Sequence, residues 1–478
     1  MGRSMLSDFY QFAMMQGYFR AGQGGRRAVF EMFIRENPGG SGFTIFAGLE
    51  QFVEYLQGLS FGGKDIDFLR SLEHFDEDFL EFLREFRFTG SVSAMREGSV
   101  CFPGEPLVIV DAPLIQGHFV ETALLTIINH QSLIATKAAR VCYAAAGDDV
   151  LEFGLRRAQG PDAGLYGARA AYIGGCAATS NVLAGQKFGL PLRGTHSHSW
   201  ILSFENELEA FRHYAAAFPD KIIFLVDTYD TINSGLPNAI RVFNEIKSAG
   251  KTLNNYGIRL DSGDFAYLSK IARRILDEEG HEAAKITASG DLDENLIQSL
   301  KLQGARVDMW GVGTRMITSR DAPALGGVYK LCAIEEGGEM RPRMKFSDNP
   351  EKVTTPGIKK IYRIFDSESH KIKADLVTLA DEKPDDSKDL SLFDPKAPWK
   401  TMNLRAGEFY SKEMLIPIIS GGKRVSEAAP IAEIRDYCAA QQDGLWEEYR
   451  RLVNPHIMPV DLSKKLFDLK NKILFARN

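Results

Sequence analysis

The chain has 478 residues, too long for one ordinary hydrophobic core, so two or three domains are expected. Hydrophobic residues at 44% and charged residues at 25% exclude disordered and fibrous classes, and a net charge of -6 argues against a general nucleic-acid binder while leaving room for a local basic pocket. The five cysteines are scattered without a Cys-x-x-Cys pair, so neither a disulfide framework nor a structural zinc site is expected.

No apolar run approaches the roughly 18 residues needed to span a bilayer, and the stretch from Met1-Gly2-Arg3-Ser4 to Gln11 has no continuous apolar core of a secretory leader. A cytoplasmic protein with no membrane partner is the expectation. Residues 1 to 130 read as a small α+β domain. Within it, apolar residues at three- and four-residue spacing predict one helix over Lys64 to Phe86, and Ala28 to Ile34, Val92 to Ala94 and Pro106 to Val110 read as strands.

Residues 131 to 335 are the expected catalytic domain. From Ile222 onward apolar strands alternate with amphipathic helices: strand Ile222 to Val226, helix Leu236 to Ser248, strand Tyr256 to Leu260, helix Asp264 to Glu279, strand Lys285 to Ala288, helix Glu294 to Leu302, strand Val307 to Trp310. That alternation means parallel pairing with helices outside, in a barrel or an open sheet, and in both the ligands gather at the carboxyl ends of the strands. Residues 336 to 478 read as exposed connections up to about residue 400, with an amphipathic helix over Val460 to Phe475, and are expected to pack on the first domain or to form a third unit.

The strand ends carry Asp227 to Thr231, Asp261-Ser262-Gly263-Asp264, Ser289-Gly290-Asp291 and Gly311-Val312-Gly313-Thr314. Glycines let the backbone approach a phosphate, so the last two loops are candidate phosphate sites, or else tight turns with Ser289 or Asp291 as a helix cap. Arg259 at a strand end can grip a planar anion, with Asp261 and Asp264 holding ribose hydroxyls or Mg²⁺; the alternative makes Asp261 or Ser262 a helix cap. Arg156 adds positive charge beside Gly154, and Lys137 and Arg140 either add to it or form a solvated helix face. Gly194-Thr195-His196-Ser197-His198-Ser199-Trp200 places two imidazoles two residues apart in a loop, as an acid-base, phosphoryl-accepting or metal site, although no third and fourth ligand accompany the pair.

Leu6 to Gln11, Gln131 to Lys137, Glu152 to Asp162, Thr179 to Val182, Gly194 to Trp200, Val226 to Thr231, Arg259 to Asp264, Gly311 to Thr314, Lys352 to Arg363 and Val460 to Ser463 together resemble the nicotinate phosphoribosyltransferase family over nearly the whole chain. The resemblance implies an irregular α/β barrel of the type II phosphoribosyltransferase kind with an N-terminal α+β domain and a C-terminal extension. It implies that nicotinate and phosphoribosyl pyrophosphate give nicotinate mononucleotide and pyrophosphate, with ATP hydrolysis and Mg²⁺, in NAD salvage, by a homodimer whose sites lie near the subunit interface. It assigns His198 as the histidine phosphorylated by ATP, Thr195 and Arg259 as nicotinate contacts, Tyr10 as an aromatic supplied by the other subunit, and Thr314 as a phosphoribosyl contact. Arg156, Ser289, Gly290, Asp291 and Gly313 complete the expected phosphate set. Ser197 stands where the family more often has Ala, and Ser180 stands where related nicotinamide enzymes carry Asp.

Overall fold

The computed structural model describes residues 4–349 and 352–476; Met1 to Arg3, part of the stretch read for a leader, lie outside them. The chain forms two compact units, Met1–Leu133 with Ala324–Asn478, and Ile134–Pro323.

The first unit is discontinuous in sequence. Its seven-stranded sheet runs Glu339–Pro342, Gly327–Glu336, Arg27–Ile34, Val108–Pro113, Ser91–Met95, Leu415–Ser420, Lys423–Arg424 in spatial order, with every pairing antiparallel. The strand Gly327–Glu336, most of which the alternation pattern placed in the catalytic domain, therefore belongs beside Arg27–Ile34. The helix read over Lys64 to Phe86 is two helices, Gly63–Ser71 and Glu77–Arg84, because Glu73 takes a left-handed φ of 56° that no helix continues through. Both keep the apolar face the spacing implied, with Ile66, Leu69, Phe79, Leu80 and Leu83 buried.

The region read as exposed connections instead supplies strands. Lys359–Asp366, Ile372–Leu379 and Leu390–Phe393 join a six-stranded sheet with Thr401–Leu404, Phe409–Glu413 and Val460–Leu462. The helix read from Val460 starts only at Lys464, after Ser463 caps it by accepting the Leu466 N–H at 3.2 Å. Within this sheet Arg363 is fully buried. Its guanidinium donates to Asp375 at 2.7 and 2.9 Å, to the Val100 carbonyl at 2.9 Å and to Gln441 at 2.8 Å, tying the C-terminal sheet to an N-terminal strand of the same unit.

The second unit is a parallel sheet of six strands, labelled here β1 (Asp149–Glu152), β2 (Ala178–Thr179), β3 (Lys221–Leu225), β4 (Asn255–Leu260), β5 (Lys285–Gly290) and β6 (Met309–Val312). Their spatial order is β2-β1-β6-β5-β4-β3. The helices Leu236–Ser248 and Glu294–Leu302 have the bounds their periodicity predicts. Their apolar stripes follow the helical repeat; Leu236, Ala239, Ile240, Val242 and Phe243 are buried in one core with Phe211, Phe224 and Ile258.

No described strand pair joins the edge strands β2 and β3. The segment 191–197 stands between them instead: the Thr179 N–H of β2 donates to the Pro191 carbonyl and the Arg193 N–H to the Thr179 carbonyl, both at 3.0 Å, and the Leu225 N–H of β3 donates to the His196 ring at 3.2 Å. The result is an irregular α/β barrel with a seam filled by the histidine loop. Because the strands are parallel, their carboxyl ends lie on one side, and the residues that follow β3 to β6 converge there.

Candidate active site

His198 opens a short helix, His198–Leu202, and its side chain is 41% exposed. Nε2 lies 3.1 Å from Oδ1 of Asp227, the second residue beyond β3, whose side chain is only 2% exposed. The other oxygen, Oδ2, accepts from the Asp261 N–H at 2.9 Å and the Ser262 hydroxyl at 2.6 Å. A carboxylate can only accept, so in the neutral ring Nε2 carries the proton and Nδ1 the lone pair; Nδ1 has no partner among the described residues. Asp227 thus fixes the tautomer and orientation of an exposed nucleophilic nitrogen while gripping the β4 turn.

His196 is the opposite case. It is buried, Nε2 accepts the Leu225 N–H, and Nδ1 faces the Ser197 carbonyl at 3.4 Å. Burial pushes its pKa down to about 4, and Arg259 and His198 nearby push the same way, so the ring is neutral at pH 7. Both nitrogens are committed, which removes the pair as a metal site. Among the described residues no group of three or more His, Cys, Asp or Glu is arranged to hold a metal.

Arg259, at the end of β4, is the hub. Nε donates to Ser289 Oγ at 2.7 Å, Nη1 to Thr195 Oγ1 at 3.1 Å and Nη2 to Asp261 Oδ1 at 2.7 Å, while the guanidinium carbon lies 5.7 Å from the centre of the Phe153 ring. A guanidinium has five N–H donors, so two remain for an incoming anion. Burial alone would raise the Asp261 pKa, but the Ser289 hydroxyl and Arg259 outweigh it and hold the carboxyl below its ordinary value. The structure thus brings Thr195, Arg259, Asp261, Ser289 and, through Asp227, His198 into one network.

Other candidates fall into distinct roles. Asp264, not Asp261 or Ser262, caps the helix Phe265–Glu278, accepting the Tyr267 N–H at 2.9 Å with one oxygen and leaving the other open. Gly290 has a φ of 132°, a conformation suited to glycine, and Asp291 beyond it is exposed with no side-chain partner among the described residues. At Gly311 a Cβ would stand 2.7 Å from the Phe153 ring, so the missing side chain makes room for that ring. Gly313 and Thr314, partly exposed, form the turn into the four-residue helix Thr314–Ile317. Arg156 is exposed and makes no ion pair among the described residues. Tyr10 lies on the helix Phe9–Arg20 of the first unit, 49% exposed.

Lys137 and Arg140 are not a solvated face. Both are buried: Lys137 pairs with Glu294 at 2.7 Å and Asp321 at 2.5 Å, and Arg140 pairs with Glu294 at 2.9 Å. Asp293 caps the helix after β5 and pairs with Arg315. These pairs pin the loops after β5 and β6 to each other and to the last turns of the helix Glu121–Ala145. The sequence pattern did not mark Asp227 or Phe153 as site residues. Asp227 stood among the strand-end acids, but only its bond to Nε2 shows that it serves His198, and Phe153 was one residue of the Glu152 to Asp162 motif, with nothing in the sequence to show that Gly311 makes room for its ring.

Family models for the nicotinate phosphoribosyltransferase N-terminal domain and C-terminal domain match residues 5–129 and 358–470. A nicotinate phosphoribosyltransferase of Bacillus subtilis (strain 168) is 48% identical over 468 residues, 98% of this chain and 94% of that protein. The chain belongs to the nicotinate phosphoribosyltransferase family. The crystal structure of human nicotinic acid phosphoribosyltransferase superposes with a TM-score of 0.86 at 31% identity, covering 98% of this chain and 99% of the human one. A nicotinate-nucleotide pyrophosphorylase from Pyrococcus furiosus shares the fold, with a TM-score of 0.70 at 23% identity over 93% of this chain and 96% of that one. The two family domains flank the segment that carries His198, Asp227, Arg259 and Ser289.

Proposed function

We propose that this nicotinate phosphoribosyltransferase family member forms nicotinate mononucleotide and pyrophosphate from nicotinate and phosphoribosyl pyrophosphate, coupled to ATP hydrolysis through phosphorylation of His198, in NAD salvage. The observation that carries the coupling is an exposed imidazole with its Nε2–H held by Asp227 and its Nδ1 lone pair open, joined through the β4 turn to the Arg259 cluster.

The two open donors of Arg259 suit the nicotinate carboxylate, with Thr195 beside it and the Phe153 ring as a flat apolar surface for the pyridine. Ser180, neutral where an acid would repel that carboxylate, supports the acid over the amide as substrate. In the transfer the bond from ribose C1 to the pyrophosphate oxygen breaks, pyrophosphate leaves with the electron pair, and the pyridine nitrogen lone pair closes on C1. That nitrogen is unprotonated at pH 7, so no general base is needed. Exposed Arg156, the glycine turns at Gly290 and Gly313, and Thr314 suit the phosphates.

In the ATP step the Nδ1 lone pair attacks the γ-phosphorus, the bond to the ADP oxygen breaks, and the Asp227 carboxylate stabilises the resulting charged ring; water later cleaves the P–N bond and releases phosphate. Mg²⁺ fits as a cation carried largely by substrate phosphates, since it binds through one or two carboxylates plus phosphate oxygens; Asp291, Oδ2 of Asp261 and the second oxygen of Asp264 are carboxylate oxygens with no partner among the described residues. When bound it supplies neutralising charge for the leaving pyrophosphate. The exposure of Tyr10 supports a homodimer in which it serves the ring bound by the other subunit. A cytoplasmic location is the setting in which these substrates meet.

The test measures pyrophosphate release from nicotinate and phosphoribosyl pyrophosphate with and without ATP. ATP accelerates the wild-type protein and not His198→Ala; undiminished stimulation of His198→Ala contradicts the phosphohistidine.

A further inference from the structure

The other histidine of the loop, His196, is not part of the reaction just described, yet it too has a defined partner on β3. β3 is an edge strand. Its Leu225 pairs with Arg259 of β4 on one side, and the Val226 N–H donates to the Arg259 carbonyl at 3.1 Å. In a parallel strand successive N–H groups point to opposite neighbours, so the Leu225 N–H points to the open edge. Leu225 is 1% exposed, and a buried N–H left without an acceptor is costly. The acceptor it finds is a side chain, Nε2 of His196.

Two residues further along both segments a second bond follows, in the opposite direction, with Nε2 of His198 donating to the Asp227 carboxylate. The loop and the end of β3 are therefore joined by two rungs, each through an imidazole Nε2, 196 to 225 and 198 to 227. The i, i+2 spacing of the histidines matches the i, i+2 spacing of their partners on the strand. The first rung is walled in: the His196 ring lies 4.7 Å from the ring of Tyr214 in an edge contact, and near Phe211 and Phe224. The second is open to solvent.

We propose that His196 is a positioning residue, a register lock that holds the loop against β3 so that His198 meets Asp227. This rests on the phosphohistidine reading. A slip of the loop by one residue would strand the Leu225 N–H and turn His198 away from its carboxylate. An acceptor at this point is required; a ring that merely fills the space is not enough.

The test compares His196→Gln, whose side-chain oxygen can still accept the Leu225 N–H, with His196→Phe, which keeps an aromatic ring and has no acceptor. The quantity read is the factor by which ATP stimulates pyrophosphate release, with the amount of phosphohistidine formed from labelled ATP. A loss of stability alone lowers both rates and leaves the factor in place. The expectation is a factor reduced about tenfold in His196→Phe and within about twofold of wild type in His196→Gln, by analogy with the losses that follow removal of a group orienting a metal-bound imidazole. If His196→Phe does not fold, His196→Leu, also without an acceptor, is read on the same factor. Equal factors for the Gln variant and the variant without an acceptor overturn the proposal. A wild-type protein without ATP stimulation removes the functional reading and the lock together, so the two failures are distinguishable.

Discussion

At the scale of single residues, two histidines in one loop are divided by their surroundings. Burial leaves His196 neutral with a pKa of about 4, while His198 is half-exposed and oriented by Asp227. Removing that orientation through Asp227→Ala is expected to lower ATP-driven turnover about 10–100-fold, measured as kcat with and without ATP. Arg259→Lys replaces a planar fork that reaches Ser289, Thr195 and Asp261 with a single ammonium, and should cost about 2–3 kcal/mol in kcat/KM for nicotinate. The buried ring also has a consequence for stability. The pKa of His196 is lower in the folded chain than its unfolded value near 6.5, so the unfolded state binds the extra proton first. Its contribution to stability is full above pH 6.5 and falls as the pH drops towards 4, by up to about 3 kcal/mol, and His118, buried to the same value, adds to the slope. Denaturant midpoints between pH 7 and 4 measure it; His196→Gln should flatten the slope.

At the scale of elements, legibility followed how local the determining contacts are. The helices Leu236–Ser248 and Glu294–Leu302 were readable because their apolar stripes and flanking caps lie within the segment. The strand Lys359–Asp366 was not, because a buried Arg363 breaks its apolar pattern and is held there by Asp375, on the neighbouring strand, and by Val100 and Gln441, far away in sequence. Val460–Leu462 looked like a first helical turn until its pairing with Asp375 to Val377 made it a strand. Lys137 likewise looked like a surface lysine, since nothing near it in sequence announces Glu294 or Asp321. Lys137→Met leaves Asp321 without that partner and the loops after β5 and β6 less firmly held. We expect a loss of about 2–4 kcal/mol in unfolding free energy, with a raised KM for phosphoribosyl pyrophosphate.

At the scale of the whole molecule, the site's chemistry was more legible than the architecture. Arg259, Asp261 and Ser289 share one network because parallel strands deliver their carboxyl ends to one side, and Thr195 joins it from the seam loop. The first unit obeys no such local rule. Its inner strand Arg27–Ile34 pairs with Gly327–Glu336, and a pairing across so much intervening chain leaves no trace in periodicity. Arg363 with Asp375 is the ionic centre of that unit's second sheet. Asp375→Ala, which leaves a fully buried guanidinium short of its carboxylate, should destabilise the protein by about 3–5 kcal/mol in chemical denaturation.

The claim on which the account turns is that His198 accepts a phosphoryl group on Nδ1. Incubation with ATP labelled at the γ-phosphate, followed by peptide mapping under conditions that preserve phosphohistidine and by phosphorus NMR of the intact protein, tests it directly. Acid-labile label is expected on His198, bonded to Nδ1 and absent from His198→Ala. Label on another residue, or no label while ATP still accelerates pyrophosphate release, would contradict it.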